Sequence, residues 1–249
     1  MRIKLHFNIP KNFYLPVSHN EILQGFIYHH LERSLADYVH DEGFNHKGRK
    51  FRLFTFSRIL GDIRFDKTRR DFHLSSSFTL VIASPVVVIL ESLARTLVNS
   101  DNLQLNGNEI ILDSIDVQVE KKSLSNSCVI RMLSPVTVYS TLQMGDGRTK
   151  TYYYNPREKE FGELIRKNLE KKYELIYKKP LPEGDFEINM LGSSKNREKI
   201  ITYKDYIIKG WMGDFEINGP PELILTGLDA GLGAKNSQGF GCFEILKER

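Results

Sequence analysis

The sequence predicts an α+β protein made of two consecutive βαββαβ units. Short segments alternate polar and apolar residues with a period of two, as in Arg2-Ile3-Lys4-Leu5-His6-Phe7. Longer stretches repeat their apolar residues at helical spacing. The order of strands and helices over residues 1–118 recurs over residues 119–249, with no residue-level repeat.

In the first half, residues 1–8 form a strand, followed by a loop through Pro10 and Pro16. Ser18-His19-Asn20-Glu21 reads as a capping box, Ser as N-cap and Glu three residues later. Ile22, Phe26, Leu31, Leu35 and Val39 then define a helix over 19–39, which Gly43 stops. Residues 51–56 and 72–83 read as strands. Pro85 opens a helix to about Asn99, since a first-turn N–H has no partner within the helix anyway. Strands at 103–105 and 109–115 flank the turn Asn106-Gly107-Asn108.

In the second half, strands are expected at 117–119, 128–132, 136–141 and 149–154, the last two around Gly145-Asp146-Gly147. Asn155-Pro156 precedes a helix to Tyr177 with Phe161, Leu164, Ile165, Leu169, Tyr173 and Ile176 on one face. Strands follow at 186–190, 200–208 and 211–217. Pro220-Pro221 starts a short helix ending near Gly231, and residues 241–246 close the chain as a strand. The βαββαβ order is the ferredoxin-like signature. It predicts one domain over 1–118 and a second over 119–249.

Composition excludes several classes. With 41% hydrophobic and 27% charged residues the chain is globular, neither disordered nor collagen-like. The apolar run 78–98 contains Ser84, Pro85, Glu91 and Arg95 and cannot span a bilayer. The charged, alternating first residues are unlike a signal peptide. Cys128 and Cys242 sit far apart in apolar runs, as two reduced thiols too few for zinc. A cytoplasmic protein is expected. The 35 Lys+Arg against 31 Asp+Glu leave only +4, too little to demonstrate a polyanionic partner. The arrangement says more, because cations gather at 47–52, 64–70 and 166–179 and in the last loop.

That loop, Gly231-Leu232-Gly233-Ala234-Lys235-Asn236-Ser237-Gln238-Gly239-Phe240-Gly241, is the sharpest signal. Glycines permit positive φ and close approach of backbone to a ligand, and such loops offer N–H groups to anions. No Gly-Lys-Ser/Thr closes it, and its helix-to-strand order is wrong for a P-loop or a dinucleotide fingerprint. His40 stands where a helix ends, ahead of Lys47, Arg49, Lys50 and Arg52. The helix end favours an imidazolium and the cations oppose it, a balance suited to acid–base work. Arg166, Lys167, Lys171, Lys172, Lys178 and Lys179 stripe the basic helix. Such stripes, with Arg64, Lys67, Arg69 and Arg70, supply sequence-independent attraction for phosphates. Tyr152, Tyr153 and Tyr154 offer stacking surfaces for unpaired bases.

The Gly-rich segment, together with Leu23-Gln24-Gly25-Phe26-Ile27-Tyr28, His40-Asp41-Glu42-Gly43, Leu53-Phe54-Thr55-Phe56-Ser57 and Leu133-Ser134-Pro135, resembles the CRISPR-associated endoribonucleases of the Cas6 family. These belong to the RAMP superfamily and process precursor CRISPR RNA. The resemblance runs from residue 3 to about 246. It implies two ferredoxin-like, RRM-like folds and a cleavage that needs neither metal nor cofactor. In that reaction the 2′-hydroxyl of CRISPR repeat RNA attacks the adjacent phosphate, leaving a 2′,3′-cyclic phosphate and a 5′-hydroxyl.

By similarity the family histidine falls on His40 and the family tyrosine on Tyr28. The family lysine meets Arg52, with Lys50 two residues earlier; the two share one strand face, so either reaches the phosphate. His46 is a second acid–base candidate. Gly231, Gly233, Lys235, Asn236, Ser237, Gly239 and Gly241 would grip backbone phosphates, with Arg166, Lys167 and Lys171 extending the surface. The resemblance leaves room for a CRISPR effector complex and a homodimer as partners, and for a non-catalytic RAMP subunit that only binds crRNA. One geometric condition applies. Twelve residues of straight helix would separate Tyr28 from His40 by roughly 18 Å, so the predicted helix must break, near Ser34, if both serve one phosphate.

Overall fold

The computed structural model describes residues 1–118, 124–145, 147–193 and 197–249. The first half runs β1 (Arg2–Asn8), β2 (Phe13–Pro16), α1 (Asn20–His29), α2 (Arg33–Asp37), a π-helical turn (Tyr38–Glu42), β3 (Phe44–His46), β4 (Arg49–Phe51), β5 (Thr55–Phe56), β6 (Leu60–Asp66), β7 (Asp71–Ala83), α3 (Val87–Val98), β8 (Leu103–Leu105) and β9 (Asn108–Gln118). The second runs β10 (Ser127–Met132), β11 (Tyr139–Gln143), β12 (Thr149–Tyr153), α4 (Lys159–Tyr177), β13 (Glu187–Met190), β14 (Glu198–Tyr203), β15 (Tyr206–Trp211), β16 (Asp214–Asn218), α5 (Pro221–Ala230), a 3₁₀ turn (Asn236–Gln238) and β17 (Phe243–Glu248).

The central strands of the first sheet lie in the order β9-β1-β7, with β5 and β6 on the far edge of β7. The second sheet is β17-β10-β16-β13. Both are antiparallel and place the strands of βαββαβ in the order four-one-three-two. The chain therefore has two tandem ferredoxin-like domains. Alternation in β1 turns Ile3, Leu5 and Phe7 onto Leu23, Phe26 and Ile27 of α1 and onto Ile89, Leu90, Leu93 and Leu97 of α3. In the second core Cys128, Ile130 and Met132 of β10 meet Phe161, Ile165 and Leu169 of α4.

The halves are laced together. Arg2 donates to Leu228 O at 3.0 Å and Phe243 O at 2.6 Å. The Met1 amine pairs with Asp229 at 2.8 Å. Val81, Leu133 and Cys242 form a small shared core. Cys128 and Cys242 are free and buried, and burial pushes both thiols up to about 11. Among the described residues no helix is long and apolar enough to cross a membrane.

Several expected elements differ. The Ser18 hydroxyl caps nothing: His19 stands at the helix start, and Ser18 accepts instead from the Thr202 N–H at 3.1 Å. The strand expected at 51–56 is interrupted after Phe51, where Leu53 takes a positive φ of 51°. The stretch 200–208 turns back at Lys204 into the β14–β15 hairpin. Val117 ends β9 instead of opening a second-half strand, and Val119 and Asp146 lie outside the described residues. The long β6 pairing with β7 was not expected, since Gly61 and its charged neighbours mask the alternation.

Candidate functional site

The helix expected over 19–39 breaks, at His30–Glu32 instead of at Ser34. Glu32 leaves helical geometry (φ −54°, ψ 134°), and its N–H finds the Ser92 hydroxyl of α3 at 2.8 Å in place of an intrahelical carbonyl. The chain then folds back through α2 and the π turn, which Gly43 ends at a positive φ of 60°. This reversal brings Tyr28 and His40 together, with ring centroids 5.5 Å apart and planes at 85°. They line one cleft of about 520 Å³ with Lys50, Arg52 and residues of the Gly-rich loop.

Arg52 lies beside the pair. Its guanidinium donates to His40 O at 2.5 Å, and its charge acts on the Tyr28 phenol. Lys50 Nζ donates to Asp41 O at 2.9 Å. The His40 ring is largely exposed, and its Nδ1 lies 2.6 Å from Asp41 Oδ1. Burial pushes the Tyr28 phenol up to about 12, with Arg52 opposing. Tyr28 is thus a neutral hydrogen-bond donor at ordinary pH.

His46 stands apart. It faces α4, with Nε2 3.0 Å from Glu174, which also pairs with Lys47 at 3.4 Å. That contact docks the β3–β4 hairpin on the second domain, and His46 does not line the cleft. Arg166 is likewise engaged elsewhere, with Glu170 at 2.8 Å and Gly184 O at 3.2 Å. Lys167 and Lys171 are exposed on α4 and lie outside the cleft lining.

The Gly-rich loop is held tightly from below. Gly231, Gly233, Gly239 and Gly241 all take positive φ, and a Cβ at Gly241 or Gly233 would overlap the Leu232 or Thr137 carbonyl oxygen. The N–H groups of Gly231, Gly239 and Gly241 donate to Gly227, Asn236 and Pro135 carbonyls at 2.8, 3.0 and 2.9 Å. These glycines provide close packing, and their amides are occupied. Lys235 places its ammonium 5.2 Å from the centre of the Tyr139 ring, in the cleft.

Sequence reasoning missed four cleft residues. Lys172, read as part of a solvated stripe, is 2% exposed. Its signal was there: it follows Ile165 by seven and Asn168 by four, on the buried stripe of α4. Asn168 lines the cleft beside it. Gln24 precedes Tyr28 by one helical turn; its amide donates to Ser237 O at 2.6 Å and accepts from the Tyr203 hydroxyl. Tyr203 belongs to a hairpin that only tertiary packing brings to the cleft.

Two family models match the chain: CRISPR-associated protein Cas6, N-terminal, over residues 14–116, and CRISPR associated protein Cas6, C-terminal, over residues 118–245. A CRISPR-associated endoribonuclease Cas6 of Pyrococcus furiosus is 31% identical over 238 residues, 94% of this chain and 84% of that protein. CRISPR-associated endoribonuclease Cas6 1 of Methanocaldococcus jannaschii is 26% identical over 249 residues, covering 100% of this chain and 94% of its own. A solved structure described as CRISPR associated protein Cas6 superposes with a TM-score of 0.80 at 25% identity, over 99% of both chains.

Proposed function

The chain belongs to the Cas6 family, and from that premise we propose that it is an endoribonuclease that cuts CRISPR repeat RNA in precursor crRNA without a metal. The carrying observation is the meeting of Tyr28 and His40 at 5.5 Å with Arg52 donating to the His40 carbonyl.

Cleavage needs a base at the 2′-hydroxyl, an acid at the departing 5′-oxygen, and a cation for the crowded phosphorane. His40 serves as the general acid or base. Donation of its Nδ1–H to Asp41 orients the ring and makes Nε2 the nitrogen that exchanges a proton with RNA. Tyr28, held neutral, donates a hydrogen bond to an oxygen of the reacting phosphate. Arg52, with Lys50 beside it, stabilises the added negative charge; its planar guanidinium suits two phosphate oxygens at once. As the 2′-oxygen bonds to phosphorus, the bond from phosphorus to the 5′-oxygen breaks, leaving a 2′,3′-cyclic phosphate and a 5′-hydroxyl.

In the same reading the Gly-rich loop seats the RNA backbone, and the product is retained for an effector complex. Incubation of the protein with labelled repeat RNA in EDTA tests the whole. A cyclic-phosphate product is expected; a shifted but intact RNA would assign a non-catalytic crRNA-binding subunit. Sedimentation of the same sample reads whether two copies pair.

A further inference from the structure

The Gly-rich loop turns carbonyl oxygens into the protein, and one buried lysine takes two of them together with that of Ala230 at the end of α5. Lys172 Nζ lies 3.2 Å from Ala230 O, 2.7 Å from Gly231 O, 3.4 Å from Gly233 O and 2.7 Å from Asn236 Oδ1. Five other loop carbonyls accept from neutral side chains. Asn236 donates to Leu232 O and Phe240 O at 2.9 and 3.1 Å. Asn20 donates to Gln238 O and Gly239 O at 2.8 and 3.1 Å. Gln24 reaches Ser237 O at 2.6 Å and Thr55 reaches Phe240 O at 3.0 Å. The negative ends of these peptide dipoles are thereby satisfied by side chains of the protein.

The acceptors around Lys172 are all neutral. Among the described residues no carboxylate pairs with it; burial first, and Arg49 of β4 after it, pull its pKa well below the ordinary lysine range. Four oxygens oppose proton loss, since an ammonium offers three hydrogens and an amine two. A desolvated cation without an acid is costly to keep. Lys172 itself helps to line the cleft.

We propose that Lys172 is a positioning residue for RNA: it holds the loop with its carbonyls inward, and its uncompensated charge is the internal counterion for a phosphate seated on the cleft side. This rests on the reading of the loop as an RNA seat. Asn168, one turn before Lys172, supplies a second handle, because its buried Oδ1 has no hydrogen-bond partner and a carboxylate there would neutralise the ammonium.

The experiment measures the Kd of a synthetic CRISPR repeat RNA across a salt series, with Lys172→Met and Asn168→Asp in a His40→Ala background that does not cut it. Each variant is expected to raise Kd about tenfold or more and to reduce the slope of log K against log salt by about one. A lysine that only stabilises the fold would lower the melting temperature and the binding-competent fraction, leaving Kd and slope of that fraction unchanged. That result in both variants overturns the proposal; if Lys172→Met does not fold, Asn168→Asp decides alone. Failure of the unsubstituted background chain to bind repeat RNA would instead remove the reading of the loop itself.

Discussion

The Tyr28 and His40 rings meet edge to face, 5.5 Å between centroids, although twelve residues of chain separate them. The chain reverses between them because Glu32 leaves helical geometry and its N–H bonds to Ser92 of α3. The geometric condition set by the sequence is therefore met, with the break a few residues earlier than expected.

His40→Ala should reduce cleavage by roughly 10²–10⁴-fold, the usual worth of a positioned acid or base, while repeat binding stays within a few-fold. Single-turnover cleavage and filter binding on one RNA measure both. Full activity of the variant would exclude His40.

Arg52 and Lys50 should separate. Arg52→Ala is expected to lower the single-turnover rate about 10²–10³-fold, comparable to loss of one donor at a developing charge, because Arg52 donates to His40 O and its charge acts on Tyr28. Lys50, bonded to Asp41 O, should cost less than about tenfold on the same scale. The reverse order would move the cation to Lys50.

Tyr28→Phe should lower the rate without changing the shape of its pH profile between 5 and 9. A phenol pushed up to about 12 stays protonated across that range and cannot supply a titrating limb. A limb that vanishes in the variant would show Tyr28 ionising there.

His19 should set part of the acid sensitivity. Burial and neighbouring Arg58 lower its imidazole to about 4, against about 6.5 in the unfolded chain. Between those values the unfolded state binds the extra proton, so stability falls as pH drops from 6.5 to about 4, by about 3 kcal/mol at most. Melting curves across this window should fall less steeply for His19→Gln than for the wild type.

Gly241→Ala should destabilise the protein by at least about 2 kcal/mol, since it adds a positive-φ penalty to a steric overlap. Gly241 sits at φ 80°, and its Cβ would run into Leu232 O. Chemical denaturation reads the loss directly. An unchanged midpoint would mean the loop is looser than its hydrogen bonds imply.

Element order was readable because alternation and helical period survive in any amphipathic segment: β1, α3 and the apolar stripe of α4 stand where their residues predict. The Ser18 cap failed because a hydroxyl bonds whichever donor arrives first in space, and Thr202 lies 184 residues away. His46 stood as a second candidate because it, like His40, precedes the basic run 47–52; Glu174, from α4, separated them.

By itself the sequence determined the two-unit architecture, since period is a property of neighbours in the chain, and its motifs, through the resemblance they carry, pointed to the family and to Tyr28, His40, His46, Lys50 and Arg52 as candidates. Only the tertiary structure decided that the helix breaks at Glu32, that Arg52 donates to the His40 carbonyl, and that Lys172 lies buried beneath the Gly-rich loop. Those depend on acceptors delivered from distant segments. The physical reason is the same for each: a backbone N–H or a cation removed from water takes the oxygen that packing places against it.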